Sequence, residues 1–214
     1  MFKWKIGKDI GLVALDTIEA MRHHDTYRQD WHAHPFWETH YILSGRLTYE
    51  FAEAAPVTIL GGAFLVIPPN TRHCAVNMAG TPSVHLGTRW LSPSAHAACS
   101  PFTLAERKSI FATLESKTLV AQSIPSDLMR DVRELFAAVE SDETDKGHVR
   151  LLAWTVLSRT ARAARTGNVL IRESDDAVVR AVADRIRRDC GGNFAATFRR
   201  YEGVTPSSMK RRRS

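Results

Sequence analysis

With 214 residues, 44% of them hydrophobic, the chain is long enough for one or two packed domains. No apolar run reaches the roughly 20 residues that span a bilayer, and the lysine-punctuated Met1 to Ile10 lacks the apolar centre and cleavage site of a secretory leader. Three cysteines (Cys74, Cys99, Cys190) with no paired spacing exclude a CxxC zinc or redox motif and fit a reducing cytoplasm, and a formal net charge of +6 is concentrated near the C-terminus.

Up to about Trp90 the chain reads as short strands. Tyr41 to Leu43, Leu47 to Phe51, Val57 to Leu60, Phe64 to Ile67 and Val84 to Leu86 are apolar or alternating runs. Turn residues separate them, at Ser44-Gly45, Gly61-Gly62, Pro68-Pro69-Asn70 and Gly80-Thr81-Pro82. Strands this short and this closely spaced predict a sandwich or barrel.

Beyond Pro101 the apolar period becomes helical. Thr103 and Glu106 form a capping box ahead of Ile110, Phe111 and Leu114. A second helix follows Pro125, with Leu128, Val132, Leu135 and Phe136 on one face, and a third runs from about His148 to Arg165. The third is apolar on more than one face, which predicts packing against another helix or a second subunit. Thr166-Gly167-Asn168 breaks the pattern, and Ser174 can cap a fourth helix striped by Val178, Val182 and Ile186. Phe194, Phe198 and Tyr201 then recur at helical spacing before Gly203 and Thr205-Pro206.

From Arg172 to Ser214 eleven basic residues face six acidic ones, so this stretch carries +5 of the net charge. A basic end of this kind points to a polyanion, most often nucleic acid. Arg199, Arg200, Lys210, Arg211, Arg212 and Arg213 are the candidate phosphate contacts.

The strongest chemical signal is His32-Ala33-His34-Pro35-Phe36-Trp37-Glu38, two histidines and a carboxylate at i, i+2 and i+6. If this segment is a strand, even spacing sends all three side chains to one face. Gly62, Pro68, Asn70, His73 and Asn77 follow as a second block. The two blocks resemble the paired motifs of the cupin superfamily over about residues 30–90. That resemblance implies a metal held by His32, His34, Glu38 and His73. Asn70 stands where the family usually has Gly, a tolerable change because Asn also adopts positive φ. Three imidazoles and a carboxylate suit zinc, iron, manganese or nickel. His40 shares the parity of Glu38 and is expected beside the ligands. Trp31, Phe36 and Tyr41 are expected as wall residues, some lining an effector pocket together with His40. His23, His24, His85, His96 and His148 are expected at the surface or as satisfied structural histidines.

The order of parts extends the resemblance. A cupin-like region carrying Glu38, Tyr41 and Leu43-Ser44-Gly45, then helices, then Ala181 to Arg188 and Phe194 to Pro206, is similar to AraC/XylS-type transcriptional regulators. This implies an α+β chain with a cupin β-barrel sensor over residues 1–100. A helical linker and dimerisation region would span 101–171, chiefly through helices near 126–166, and a DNA-binding region 172–214. The last is short and its helix-turn-helix incomplete. Only Cys190 to Asn193 stand where the helix before the reading helix belongs, as if the middle of the region had been deleted. The implied function is a cytoplasmic, homodimeric, effector-sensing regulator with weakened DNA binding and no membrane partner. A metal-dependent cupin enzyme acting on a small molecule is the main rival. A dimerising sensor module that no longer binds DNA is the third reading.

Overall fold

A computed structural model describes residues 2–77, 80–94 and 100–167. The chain divides into two units after residue 170, and every described residue lies in the first. The expected fourth helix, the signature from Phe194 to Pro206 and the six candidate phosphate contacts fall outside the described residues, as do His96, Cys99 and Cys190.

Among the described residues ten strands form two sheets. The larger has the order β1 (Phe2–Ile6), β2 (Leu15–His23), β9 (Ser83–Trp90), β4 (Trp37–Ser44), β7 (Ala63–Ile67) and β10 (Gln122–Ser123). The smaller runs β3 (Tyr27–Arg28), β8 (His73–Asn77), β5 (Arg46–Phe51) and β6 (Val57–Leu60). All pairings are antiparallel. The expected barrel thus takes the form of two sheets, and one apolar cluster joins them: Ile42, Ala63, Leu65 and Ile67 pack with Leu47, Tyr49, Phe51, Ile59 and Ala75. Positive φ is adopted at Gly45 (78°) between β4 and β5 and at Asn70 (61°) in the approach to His73, among other positions. Asn70 therefore adopts the conformation for which the family's glycine would serve.

The outer face of the larger sheet is equally apolar and carries three helices. Trp37, Tyr41, Phe64, Leu86 and Trp90 share a core with α1 (Leu104–Glu115), α2 (Ser126–Glu140) and α3 (Lys146–Thr166). The Thr103–Glu106 capping box forms as the sequence predicts, and Asp145 caps α3 by accepting from the N–H groups of Gly147 and His148. Val149, Leu152, Ala153, Val156 and Leu157 of α3 are all buried within this unit. The breadth of that helix's apolar face is answered by the sheet and its neighbouring helices. The linker also returns β10 to the edge of β7.

Trp154 is the pin of this arrangement, with its ring 5.0 Å from Trp90 on the sheet and 5.4 Å from Phe102 ahead of α1. Trp154→Ala should cost about 3–5 kcal/mol in urea denaturation, the range for truncating a buried large aromatic.

Candidate metal centre

Two chain segments build the site and are stitched to each other by backbone. The N–H of His32 donates to the His73 carbonyl (3.0 Å) and the N–H of His73 to the His32 carbonyl (2.9 Å). The Asn70 N–H donates to the His34 carbonyl at 2.8 Å. The expectation of one strand carrying His32, His34 and Glu38 is corrected here. His32 sits in an isolated bridge, His34 lies in the loop before β4, and only Glu38 belongs to a strand. Pro35, which has no N–H to give a ladder, lies between them. The side chains nevertheless converge: one ligand atom from each of His32, His34, Glu38 and His73 lies within 4.8 Å of every other.

Backbone carbonyls fix two of the rings. Nδ1 of His32 donates to the carbonyl of Asp30 (2.9 Å) and Nδ1 of His73 to that of Thr71 (2.8 Å). A carbonyl only accepts, so Nδ1 carries a proton, and Nε2 is the atom left to offer a lone pair when the ring is neutral. Both Nε2 atoms are buried; that of His32 has no hydrogen-bond partner, and that of His73 faces Glu38 Oε2 at 3.0 Å. Burial also pushes His32 below the ordinary histidine range, outweighing its bond to Asp30, and favours the neutral, metal-ready form.

Glu38 is 2% exposed and uses its two oxygens differently. Oε1 accepts from Arg89 Nε at 3.0 Å and lies 3.1 Å from His40 Nε2. Oε2 lies 3.0 Å from Nε2 of both His34 and His73. Burial alone would raise this carboxyl, but the facing His40 and the hydrogen bonds from His34, His40 and His73 hold it well below the usual carboxylate range. Where His73 Nε2 carries no proton, its lone pair and the carboxylate oxygen 3.0 Å away set two electron-rich atoms face to face. That arrangement is satisfied only by a cation between them, either a proton on the ring or a metal ion. The donor set therefore fits a first-row divalent ion held by His32, His34, Glu38 and His73. Such an ion, when bound, would supply Lewis acidity toward a small ligand's oxygen.

Alternation explains which neighbours face this centre. Glu38 pairs with Arg89, His40 with Gly87 and Ile42 with His85; on the next strand Thr17 pairs with Arg89 and Glu19 with Gly87. These positions share the face between the sheets. Arg89 bridges Glu38 to Glu19, whose Oε1 lies 3.0 Å from the guanidinium. Gly87 leaves the room that His40 occupies, since a Cβ there would stand 3.2 Å from His40 Cε1. His85, expected at the surface or as a satisfied structural histidine, is 2% exposed, has an unpartnered Nδ1, and is pushed well below the histidine range by burial and by His40 and His23.

The expected pocket residues are distributed rather than gathered. His40 stands beside Glu38, and Phe36 lies 5.6 Å from the His34 ring. Trp31 is exposed, with Arg72 5.9 Å from its ring centre. Tyr41 has the opposite parity and faces the helices, its hydroxyl 2.8 Å from Thr160 in α3. Arg89, Glu19 and His85 were missed by sequence reading. For His85 and Arg89 the signal was the alternation His85, Gly87, Arg89 on one strand; Glu19, on β2, had none.

Residues 22–86 match the cupin domain family. The N-terminal part of the chain carries a cupin domain. No curated protein matches the chain. Among solved structures, a cupin-like protein from Thermotoga maritima is 20% identical over 42% of this chain and 66% of its own, with a TM-score of 0.38. A Cupin 2 conserved barrel domain protein from Salinispora arenicola is 19% identical over 35% and 61%, with a TM-score of 0.32. An oxalate decarboxylase is 13% identical over 44% of this chain and 26% of its own, with a TM-score of 0.37. This chain thus spans less than two thirds of each.

Two outcomes follow for the cupin domain. A bound divalent ion should raise unfolding stability by about 2.7 kcal/mol at 100 times its dissociation constant, read as a shift in urea midpoint. His73→Ala should abolish that shift. Arg89→Leu, which leaves all four ligands in place, should weaken metal affinity about 10- to 100-fold in a chelator competition titration.

Proposed function

We propose that the chain is an effector-sensing regulator of the AraC type, with a metal-binding cupin domain as sensor and a shortened C-terminal region that binds DNA weakly. The observation that carries the reading is the order of parts on one chain. A cupin domain with a four-ligand cluster is followed by helices that pack directly on its sheet, and then by the basic segment holding the Phe194 to Pro206 signature. The sensor takes a small molecule, with the metal as an anchor for its oxygen atoms. Among the described residues no helix is long and apolar enough to cross a membrane, and the regulator is proposed to act in the cytoplasm as a homodimer.

DNA contact falls to Arg199, Arg200 and the Lys210 to Arg213 run. Phosphate contacts need charge more than geometry, whereas base reading needs the start of a braced recognition helix. Fluorescence anisotropy against the chain's own upstream DNA and a scrambled control should give similar, salt-sensitive binding. The slope of log affinity on log salt should be about −0.9 for each phosphate neutralised. Binding to neither DNA at low salt would remove the regulator reading and leave a dimerising sensor module. A preference for upstream DNA at physiological salt would mean that base reading survives the shortening.

The second reading, a metal-dependent cupin enzyme, is favoured by one observation, the pre-oriented His32 and His73 lone pairs. Metal-dependent turnover of a small oxygen-rich substrate, lost in His73→Ala, would establish it.

A further inference from the structure

We propose that β1 is the seam of a homodimer, in which two copies pair their β1 strands antiparallel about Trp4. Three of the seven large apolar side chains exposed among the described residues fall within these five residues: Phe2 (49%), Trp4 (55%) and Ile6 (43%). They alternate, so they share one face, and the Phe2 and Trp4 rings are 5.2 Å apart. β1 is also the outermost strand of the larger sheet, with β2 its one partner there. Its far side presents ladder N–H and C=O groups, the template on which a further strand adds. The other outer strands serve less well: β3 and β10 have two residues each, and β6 exposes a single large apolar side chain, Leu60.

Charge on an edge strand normally discourages such addition. Here the two lysines of β1 are engaged by their own chain. Lys3 Nζ donates to Asp142 at 2.7 Å and Lys5 Nζ to the Glu143 carbonyl at 3.1 Å. The groove beside the strand brings Asp9, Asp142 and Glu143 together with Lys5 and Lys146. Both signs are present in near balance, which suits a second copy bearing the same set inverted and gives a polyanion no advantage. A two-fold axis at Trp4 sets Trp4 opposite the partner's Trp4, and Phe2 opposite the partner's Ile6. These are aromatic–aromatic and aromatic–β-branched pairs of the kind that stabilise sheets. The helices offer less, since the apolar residues of α3 are buried within the unit apart from Leu151, which is 67% exposed.

The strand and its groove supply roughly half of the 20–30 residues a side of a standard interface, so the dimer is weak and concentration-dependent. Sedimentation velocity of the full chain across the micromolar range tests it, with Trp4→Glu, Ile6→Thr and Leu151→Glu beside the parent. The parent should pass from monomer to dimer with concentration. Trp4→Glu should raise the dissociation constant at least about 30-fold, as loss of a central aromatic does, and Leu151→Glu should leave it unchanged. Ile6→Thr keeps strand propensity and should weaken pairing in the same direction, so it carries the test if Trp4→Glu fails to fold by circular dichroism. A parent that stays monomeric, a Trp4→Glu variant that pairs like the parent, or disruption by Leu151→Glu would each overturn the proposal. The seam rests on the homodimer of the regulator reading, and because the readout uses no DNA and no metal, its failure is distinguishable from a failure of DNA binding or metal sensing.

Discussion

The site depends on one buried negative charge. Glu38 carries a carboxylate into the space between two sheets, where an unpaired charge is untenable. Two carboxylates, Glu38 and Glu19, meet one guanidinium, Arg89, so the carboxylates outnumber the permanent cation between them. The protein divides the problem by oxygen atom. Oε1 is answered inside the protein by Arg89 and His40, and Oε2 is turned toward His34 and His73. A divalent cation at that point would complete the charge balance and meet the orphaned lone pairs together. Ligand pre-orientation and buried charge are thus one constraint seen from two sides.

Much of the site was legible because short-range spacing encodes it. His32, His34, Glu38 and His73 could be picked out from two short blocks, and Asn70 could be assigned positive φ from its chemistry alone. Parity also separates Tyr41 from Glu38 and His40, although aromatic crowding in the sequence suggested a shared pocket. What spacing does not encode is which strands become neighbours. Strand β2, which brings Glu19 beside Arg89, has no clean alternation: it is bordered by β1 on one side and β9 on the other and buries both faces. A strand buried on both faces loses the period-2 signal. Strand β8 is buried throughout for the same reason. The break at Pro35 was visible in the sequence but was overridden by the even spacing around it.

Helix ends were read more accurately than strands because their signals are local. The hydroxyl of Thr103 and the carboxylate of Glu106 satisfy each other's backbone donors within four residues, and the structure realises both bonds. The destination of each apolar stripe was the harder question. A helix apolar on several faces requires partners on several faces, yet its sequence does not say whether they come from the same chain. Here α3 finds them in the sheet and the other helices, which leaves the edge strand as the unanswered apolar surface.

Strand β4 is where sensing and output would have to meet. Glu38 and His40 project from it into the metal centre, while Trp37 and Tyr41 project from the same backbone into the helical core. The Tyr41 hydroxyl reaches Thr160, and Thr160 in turn donates to the Val156 carbonyl within α3. Adjacency alone does not make a signal; coupling requires an element with two arrangements that the ligand distinguishes. The physical candidate is the seating of α3 against β4, because a shift of the strand at Glu38 must be absorbed either by the opposite sheet or by that buried hydroxyl pair. The opposite sheet is tied to the site through the His32–His73 backbone bonds and resists displacement. The helix side is joined to the strand by the buried packing of Trp37 and Tyr41 and by the Tyr41–Thr160 pair, so any rearrangement of α3 must pass through these contacts.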